Sequence, residues 1–259
     1  MSGVALSVDG LVDWASQVLW ATLRVAGFIM VVPIFGNPLV TARVKVALSL
    51  AIGIAVGPLL TELPAVTDFT LTTVLLVAEQ LLTGIGLGFA TSIFFQLFVV
   101  AGQFMGMQMG LGFAMMTDPV NGVQVTAWSQ FFLLLVSLTF LAVNGHLLLI
   151  EILIEGFKVY PTGLGIPLDE LAERLAALGG WMFAGGVLIA LPAVTALLIV
   201  NLAFGVMTRS APQLNIFSLG FPFSIVFGAV VMWVALQGWL PQFDRMFSGF
   251  LEQVVPWTR

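Results

Sequence analysis

The chain has no cysteine and a single histidine, and only 8% of its 259 residues are charged. The lack of cysteine excludes disulfides and thiol chemistry, and one histidine among scattered carboxylates argues against a structural metal site. The net charge is −5 and no basic cluster is present, which argues against nucleic-acid binding. We therefore expect no cofactor, no metal and no nucleic-acid partner.

The chain also lacks the short motifs of common enzymes. It has no glycine-rich loop followed by Lys-Ser or Lys-Thr, no zinc signature and no nucleophile elbow. Glu151 and Glu155 have i, i+4 spacing, but they are more simply a solvated helix end than an acid/base pair. We predict that the chain is not an enzyme.

Long apolar runs use up most of the sequence, and hydrophobic residues make up 60% of it. Such runs are typical of bilayer-spanning helices, because a helix satisfies its own backbone hydrogen bonds in lipid. We predict an all-α membrane protein with about six long hydrophobic helices interrupted by Gly and Pro. The runs cover residues 11–35, 44–60, 71–105, 128–150, 181–207 and 214–240.

The run 71–105 is too long for one simple crossing. At 1.5 Å per residue it spans roughly 50 Å, against about 30 Å of hydrocarbon. Strong tilt, a break or a protein environment is required, and Gly84, Gly86 and Gly88 offer a break point. A separate polar helix is expected over 168–178, where leucines share one face.

A Gly- and Met-rich segment follows that run. Gly102, Gly106 and Gly110 repeat every fourth residue, so in a helix they form a bare stripe that another backbone can approach closely. Together with Gly84 and Gly88 they are candidate helix-packing positions. Soft Met side chains suit a movable plug, whereas the alternative is a helix end with Met as filler. Five of the 11 Met lie here: Met105, Met107, Met109, Met115 and Met116.

Four polar residues interrupt the apolar runs: Arg24, Glu79, His146 and Asn201. Each is costly in lipid and should face protein or a cavity. Arg24 and Glu79 form a conceivable ion pair, and His146 is a conceivable proton carrier. Hydrogen bonding between helices is the simpler alternative, since no acidic or second histidine residue has helical spacing from His146 within its run.

Two late runs contain proline, Pro192 in one and Pro222 in the other. A proline inside a membrane helix frees a carbonyl and kinks the axis. Discontinuous helices in corresponding positions also mark the binding sites of secondary transporters. Packing kinks are the commoner case.

Two stretches are more specific than membrane composition. One is Val143-Asn144-Gly145-His146, and the other runs from Arg209 to Pro222, with the pattern Pro-Gln-x-Asn-x-Phe-x-x-Gly-x-Pro from Pro212. Together with length and run order they resemble the FliR family, the flagellar biosynthesis protein of the type III export gate. Virulence-secretion counterparts share the late block more loosely.

The resemblance implies a subunit of a helical export gate in the flagellar basal body, at the bacterial inner membrane and partly on its periplasmic side. Its partners would be FliP-like, FliQ-like and FlhB-like subunits, membrane lipid, and unfolded export substrates in transit. Residues 1–180 would be a FliP-like part and residues 181–259 a FliQ-like part, with helical hairpins in place of ordinary spans.

The resemblance also implies that the mid-chain loop is a pore plug. The late block is expected from its own residues to be a structural joint, because Pro212 ends one element and Gly220 and Pro222 bend the next helix. The plug would comprise Gly106, Met107, Met109, Gly110, Phe113, Met115 and Met116. The joint would comprise Pro212, Gln213, Asn215, Phe217, Gly220 and Pro222.

The sequence thus predicts a subunit that forms and closes part of a protein-conducting pore needed for flagellum assembly. Two alternatives stay open. One is a six-helix secondary transporter of a small solute that uses Arg24, Glu79 and His146. The other is a purely structural assembly scaffold.

Overall fold

The computed structural model describes residues 8–60, 70–112, 126–160, 167–210 and 216–258, and within these ranges the regular structure is helical. Short 3-10 turns at Gly57–Leu59 and Val255–Thr258 extend two of the helices. The helices are α1 (Val8–Val31), α2 (Ala42–Val56), α3 (Leu71–Gln108), α4 (Ala127–Ala142), α5 (Gly145–Val159), α6 (Leu168–Ser210), α7 (Ile216–Leu236) and α8 (Trp239–Val254).

Four of the described helices are long and apolar enough to cross a bilayer: 10–31, 42–59, 71–108 and 169–209. Two further pairs of helices, α4 with α5 and α7 with α8, each pass the same test as one broken span, which brings the number to six. The predicted all-α membrane protein with about six apolar helices is confirmed.

Two long helices are more continuous than the sequence suggested. α3 runs through Gly84, Gly86 and Gly88 without a break, and α6 joins the expected polar helix 168–178 to the following run. Helical glycines cost only about 1 kcal/mol each, which packing elsewhere outweighs. Glycine by itself therefore did not end these helices.

The fourth predicted run is interrupted where the sequence suggested continuity. It divides into α4 and α5 at Asn144, which has φ 57° and ψ 26°. Asn tolerates this left-handed conformation better than other non-glycine residues. Its carbonyl then accepts hydrogen bonds from the N–H groups of Leu147 and Leu148, which starts α5.

Two compact units make up the chain, and both are discontinuous in sequence. The first unit contains 1–93, 143–178 and 251–259, and the second contains 94–142 and 179–250. The division of the chain at residue 180 into two family-like parts stays a prediction.

Glycines bring the helices of the first unit together. A Cβ at Gly84 would overlap the carbonyl oxygen of Arg24, and one at Gly88 would lie 2.8 Å from the carbonyl oxygen of Phe28. On α1, a Cβ at Gly27 would lie 2.5 Å from the carbonyl oxygen of Leu81. α1 and α3 therefore meet backbone to backbone, as small residues permit in membrane helices.

Aromatic rings fill the centre of the second unit. Phe94 on α3 is fully buried and its ring centroid lies 5.1 Å from that of Phe250 and 5.8 Å from that of Phe243, both on α8. Such offset and edge-on pairs add to the area that the rings bury. α8 was missed in the sequence because Asp244 and Arg245 interrupt its apolar pattern, and both face outward.

We expect the substitution Gly84→Ala to lower the thermal stability of the assembled protein. The new methyl group has to push α1 away from α3, and overpacking of this kind costs roughly 1–3 kcal/mol. Gly180→Ala is the matched control, since nothing lies within 4 Å of a Cβ there. Fluorescence-detected gel filtration after heating measures both variants, and equal midpoints would contradict the close α1–α3 contact.

Candidate functional site

The C-terminal end of α3 carries the first half of the predicted plug, and a defined cap closes it. Gly110 has φ +82°, its N–H donates to Met107 O at 3.0 Å, and the N–H of Leu111 donates to Gly106 O at 3.1 Å. This pair of bonds is a Schellman motif, which requires a left-handed residue after the helix. Glycine adopts that conformation without strain, which explains Gly110.

A side chain from α6 binds the same helix end. Asn201 Nδ2 donates to the carbonyl oxygen of Gln108 at 3.2 Å, and Ser224 Oγ on α7 donates to Asn201 Oδ1 at 3.1 Å. Carbonyls in the last turn of a helix have no partner within the helix. Asn201, predicted as an intramembrane polar residue, thus serves a helix end in the second unit.

The glycine stripe lies against the start of α4. A Cβ at Gly102 would lie 2.8 Å from Ser129 Cα, and one at Gly106 would lie 2.6 Å from Thr126 Oγ1. Gln103 Oε1 accepts hydrogen bonds from the N–H of Thr126 and from Ser129 Oγ, both at 3.0 Å. Hydrogen bonds therefore hold the end of α3 against the start of α4. We call this contact the base.

The methionines near this base differ in their surroundings. Met105 and Met109 are buried, at 1% and 0% exposure, whereas Met107 is 54% exposed. Met109 packs on Gly228 of α7, where a Cβ would overlap its side chain. Phe113, Met115 and Met116 of the predicted plug lie outside the described residues. Among the described methionines of the plug, only Met107 presents its side chain outward.

A cavity of about 250 Å³ lies beside the capped end of α3. Its walls are mostly apolar, with Gln108, Asn201 and Ser224 as polar members. A Cβ at Gly110 would lie 2.5 Å from the ring of Phe221, so the chain approaches this ring closely. The full lining comprises Met107, Gln108, Met109, Gly110, Asn201, Phe204, Gly220, Phe221 and Ser224.

The predicted joint is described only in part. Pro212, Gln213 and Asn215 lie outside the described residues, and the side chain of Phe217 is not described. Gly220 is buried and Pro222 is exposed, both within α7, while Pro192 is exposed within α6. Both helices continue past their prolines.

Arg24 is fully buried in the first unit, where it makes hydrogen bonds to two partners and interacts electrostatically with Glu79. Its Nε donates to Gln80 Oε1 at 2.8 Å, and its Nη2 donates to the carbonyl oxygen of Tyr160 at 2.7 Å. The guanidinium carbon also lies 3.6 Å from the ring centroid of Phe157. Gln80 Nε2 donates to Glu79 Oε1 at 3.2 Å, so Gln80 links the two predicted residues.

This cluster joins α1, α3 and the end of α5. Sequence reasoning missed Gln80, Phe157 and Tyr160, although Gln80 stands next to Glu79 and is polar within an apolar run. His146 lies in the first turn of α5, and its buried Nδ1 has no hydrogen-bond partner among the residues that the structure describes. The hydrogen bonds of Arg24 run to Gln80 and Tyr160 and not to His146.

These features define an all-α membrane protein in which buried and partly buried polar side chains bind helix ends and each other. The chain belongs to the family described as bacterial export proteins, family 1, whose profile matches residues 15–250.

Curated relatives cover nearly the whole chain. It is 37% identical to the flagellar biosynthetic protein FliR of Escherichia coli (strain K12), over 91% of this chain and 90% of the relative. It is 34% identical to FliR of Pectobacterium carotovorum subsp. carotovorum, over 92% and 91%. It is 25% identical to FliR of Bacillus subtilis (strain 168), over 95% of both.

We expect Arg24→Met to destabilise the assembled protein by about 2–4 kcal/mol, because it leaves the Gln80 and Tyr160 acceptors buried without a donor. Gln80→Leu should also destabilise, and the double variant should lose less than the sum of the two. Arg43→Met and Gln96→Leu, at exposed positions, are matched controls. Strict additivity in thermal unfolding would show that Arg24 and Gln80 do not act as a pair.

Proposed function

We propose that this chain is a subunit of the flagellar type III protein export gate, which forms and closes part of a protein-conducting pore and is needed for flagellum assembly. The observation that carries the proposal is the match to flagellar biosynthetic proteins over 91% or more of the chain. Family membership over residues 15–250 supports a transport role rather than a catalytic one.

The gate subunit is proposed to work among FliP-like, FliQ-like and FlhB-like companions in the basal body of the bacterial inner membrane, with lipid as a further neighbour. In the most apolar 18-residue window of α6, only 17% of the window is buried within the chain. In the window 42–59, which contains α2, the buried share is 22%. Exposed apolar helices of this kind need lipid or companion subunits around them. Residues 1–180 are proposed as the FliP-like part and 181–259 as the FliQ-like part.

The proposed closing element is the segment from Gly106 to Met116. Its first residues rest on a firm base, since the cap at Gly110 and the Gln103–Thr126 bonds hold both sides of it. The exposed Met107 is soft and unbranched, which suits a seal that re-forms after an unfolded substrate has passed. The energy for export is supplied from outside this chain.

A strain that lacks this chain should secrete no flagellar subunits and build no filaments, and the chain supplied in trans should restore both. The purified protein should recover FliP-like and FliQ-like subunits from detergent extracts. Normal filaments in the deletion strain would refute the proposal. Movement of a small solute by the isolated chain in liposomes would favour the secondary transporter instead.

Within the assembled gate, Met107→Ala should raise ion leakage several-fold while leaving assembly intact, because it shortens an exposed seal residue. Met109→Ala is the matched comparison at a buried position, where loss of a core methionine costs about 2–5 kcal/mol of stability. Leakage is measured as conductance of membranes that contain the assembly. If membranes that contain the Met107→Ala assembly conduct no more than those with the parental chain, Met107 is not part of the seal.

A further inference from the structure

The cap of α3 does not supply a partner for the carbonyl of Gln108. The N–H groups of Met109, Gly110 and Leu111 donate to the carbonyls of Met105, Met107 and Gly106. The carbonyl of Gln108 is not part of this set, and Asn201 Nδ2 is its donor. An unpaired carbonyl in apolar surroundings is destabilising, so this bond matters to the last turn.

The amide of Asn201 adds a second kind of support to this cap. A Schellman motif is commonly accompanied by a hydrophobic contact between the residue after the left-handed position and one in the last turn, here Leu111 with Gly106 or Met105. Gly106 has no side chain to offer, so Met105 is the remaining position for that contact. Asn201 holds the same helix end from another helix by a directional hydrogen bond.

Ser224 sets the orientation of that amide. Ser224 is buried, with 3% of the residue exposed. Its hydroxyl donates to Asn201 Oδ1, and this bond turns Asn201 Nδ2 towards Gln108. An amide without this partner has two nearly equivalent orientations, and only one of them donates to the carbonyl. The three groups therefore form a chain of hydrogen bonds from α7 through α6 to α3.

These bonds are directional restraints beside the cavity, in addition to the packing of Met109 on Gly228 and of Phe221 against Gly110. About 250 Å³ of space borders Met107, Gly110, Asn201 and Ser224. Side-chain packing alone leaves room for the last turn of α3 to shift or unwind towards this space. A hydrogen bond to a fixed acceptor has the directionality that apolar packing lacks.

We propose that Asn201 and Ser224 are positioning residues of the gate, which hold the last turn of α3 so that Met107 faces outward in the closed state. This inference rests on the proposed gate function, because it assigns a role in the same element. Nothing in the role requires Asn201 or Ser224 to touch a substrate. They act through the carbonyl of Gln108.

The position of the helix end is tested independently of transport. The chain has no cysteine, so Leu111→Cys carries a unique spin label. Asn201→Leu, which keeps the branched shape of the side chain but removes both hydrogen bonds, should increase the mobile component of the spectrum about fivefold, in line with the loss of the hydrogen bond to Gln108. Thr195→Val, at an exposed position of the same helix, should leave it unchanged.

Ser224→Ala should act in the same direction but less strongly, and it should add nothing to Asn201→Leu, because both variants break one chain of bonds. This smaller substitution carries the test if Asn201→Leu prevents assembly. A label at Gln96→Cys, exposed in the middle of α3, should be unaffected by either variant. Equal loosening at both labels would indicate general destabilisation and would overturn the proposal.

The conductance of the assembled gate gives the second measurement. Asn201→Leu and Ser224→Ala should raise leakage in the same order as they raise the mobility at Leu111. Mobility that rises without leakage, in a gate where Met107→Ala does leak, would overturn the positioning role and leave the gate function standing. If Met107→Ala does not raise leakage either, the assignment of Met107 to the seal is wrong. Separately, an unchanged spectrum at Leu111 in the Asn201→Leu variant would refute the positioning role.

Discussion

Most of this structure depends on one constraint, which is that backbone polar groups in apolar surroundings need partners within the protein. Helices satisfy their own interiors, but each leaves carbonyls unpaired at its C-terminal end. The end of α5 is bound by Arg24 through the carbonyl of Tyr160. The end of α3 is bound by Asn201 through the carbonyl of Gln108. Two of the rare polar residues in the apolar runs therefore have the same physical task.

Glycine provides the second organising effect, because close approach of helices brings those polar side chains within reach of backbone acceptors. Gly84 and Gly27 let α1 and α3 meet, which places Arg24 beside Gln80. Gly102 and Gly106 likewise let the start of α4 reach α3. In each unit the helices approach closely because glycine has no side chain. The hydrogen bonds between the helices then fix how far one helix is shifted along the other.

These two effects explain how the proposed gate element can be firm at its base while it presents a soft residue outward. The cap at Gly110 and the contacts of Gln103 hold the backbone. Met107 projects from that base, while Met109 is packed on α7. In the proposed seal, the adaptable residue Met107 and the firmly packed residue Met109 are therefore only two positions apart in the sequence.

The sequence by itself determined the membrane class, the helical fold and the family, because long apolar runs and the Pro212 to Pro222 block are local signals. It also marked Arg24 and Asn201 as residues that need a partner. Only the tertiary structure decided which partner each one has, where α3 and α6 continue through glycine, and that a break falls at Asn144. Those outcomes depend on contacts between segments far apart in the chain, where burial outweighs local propensity.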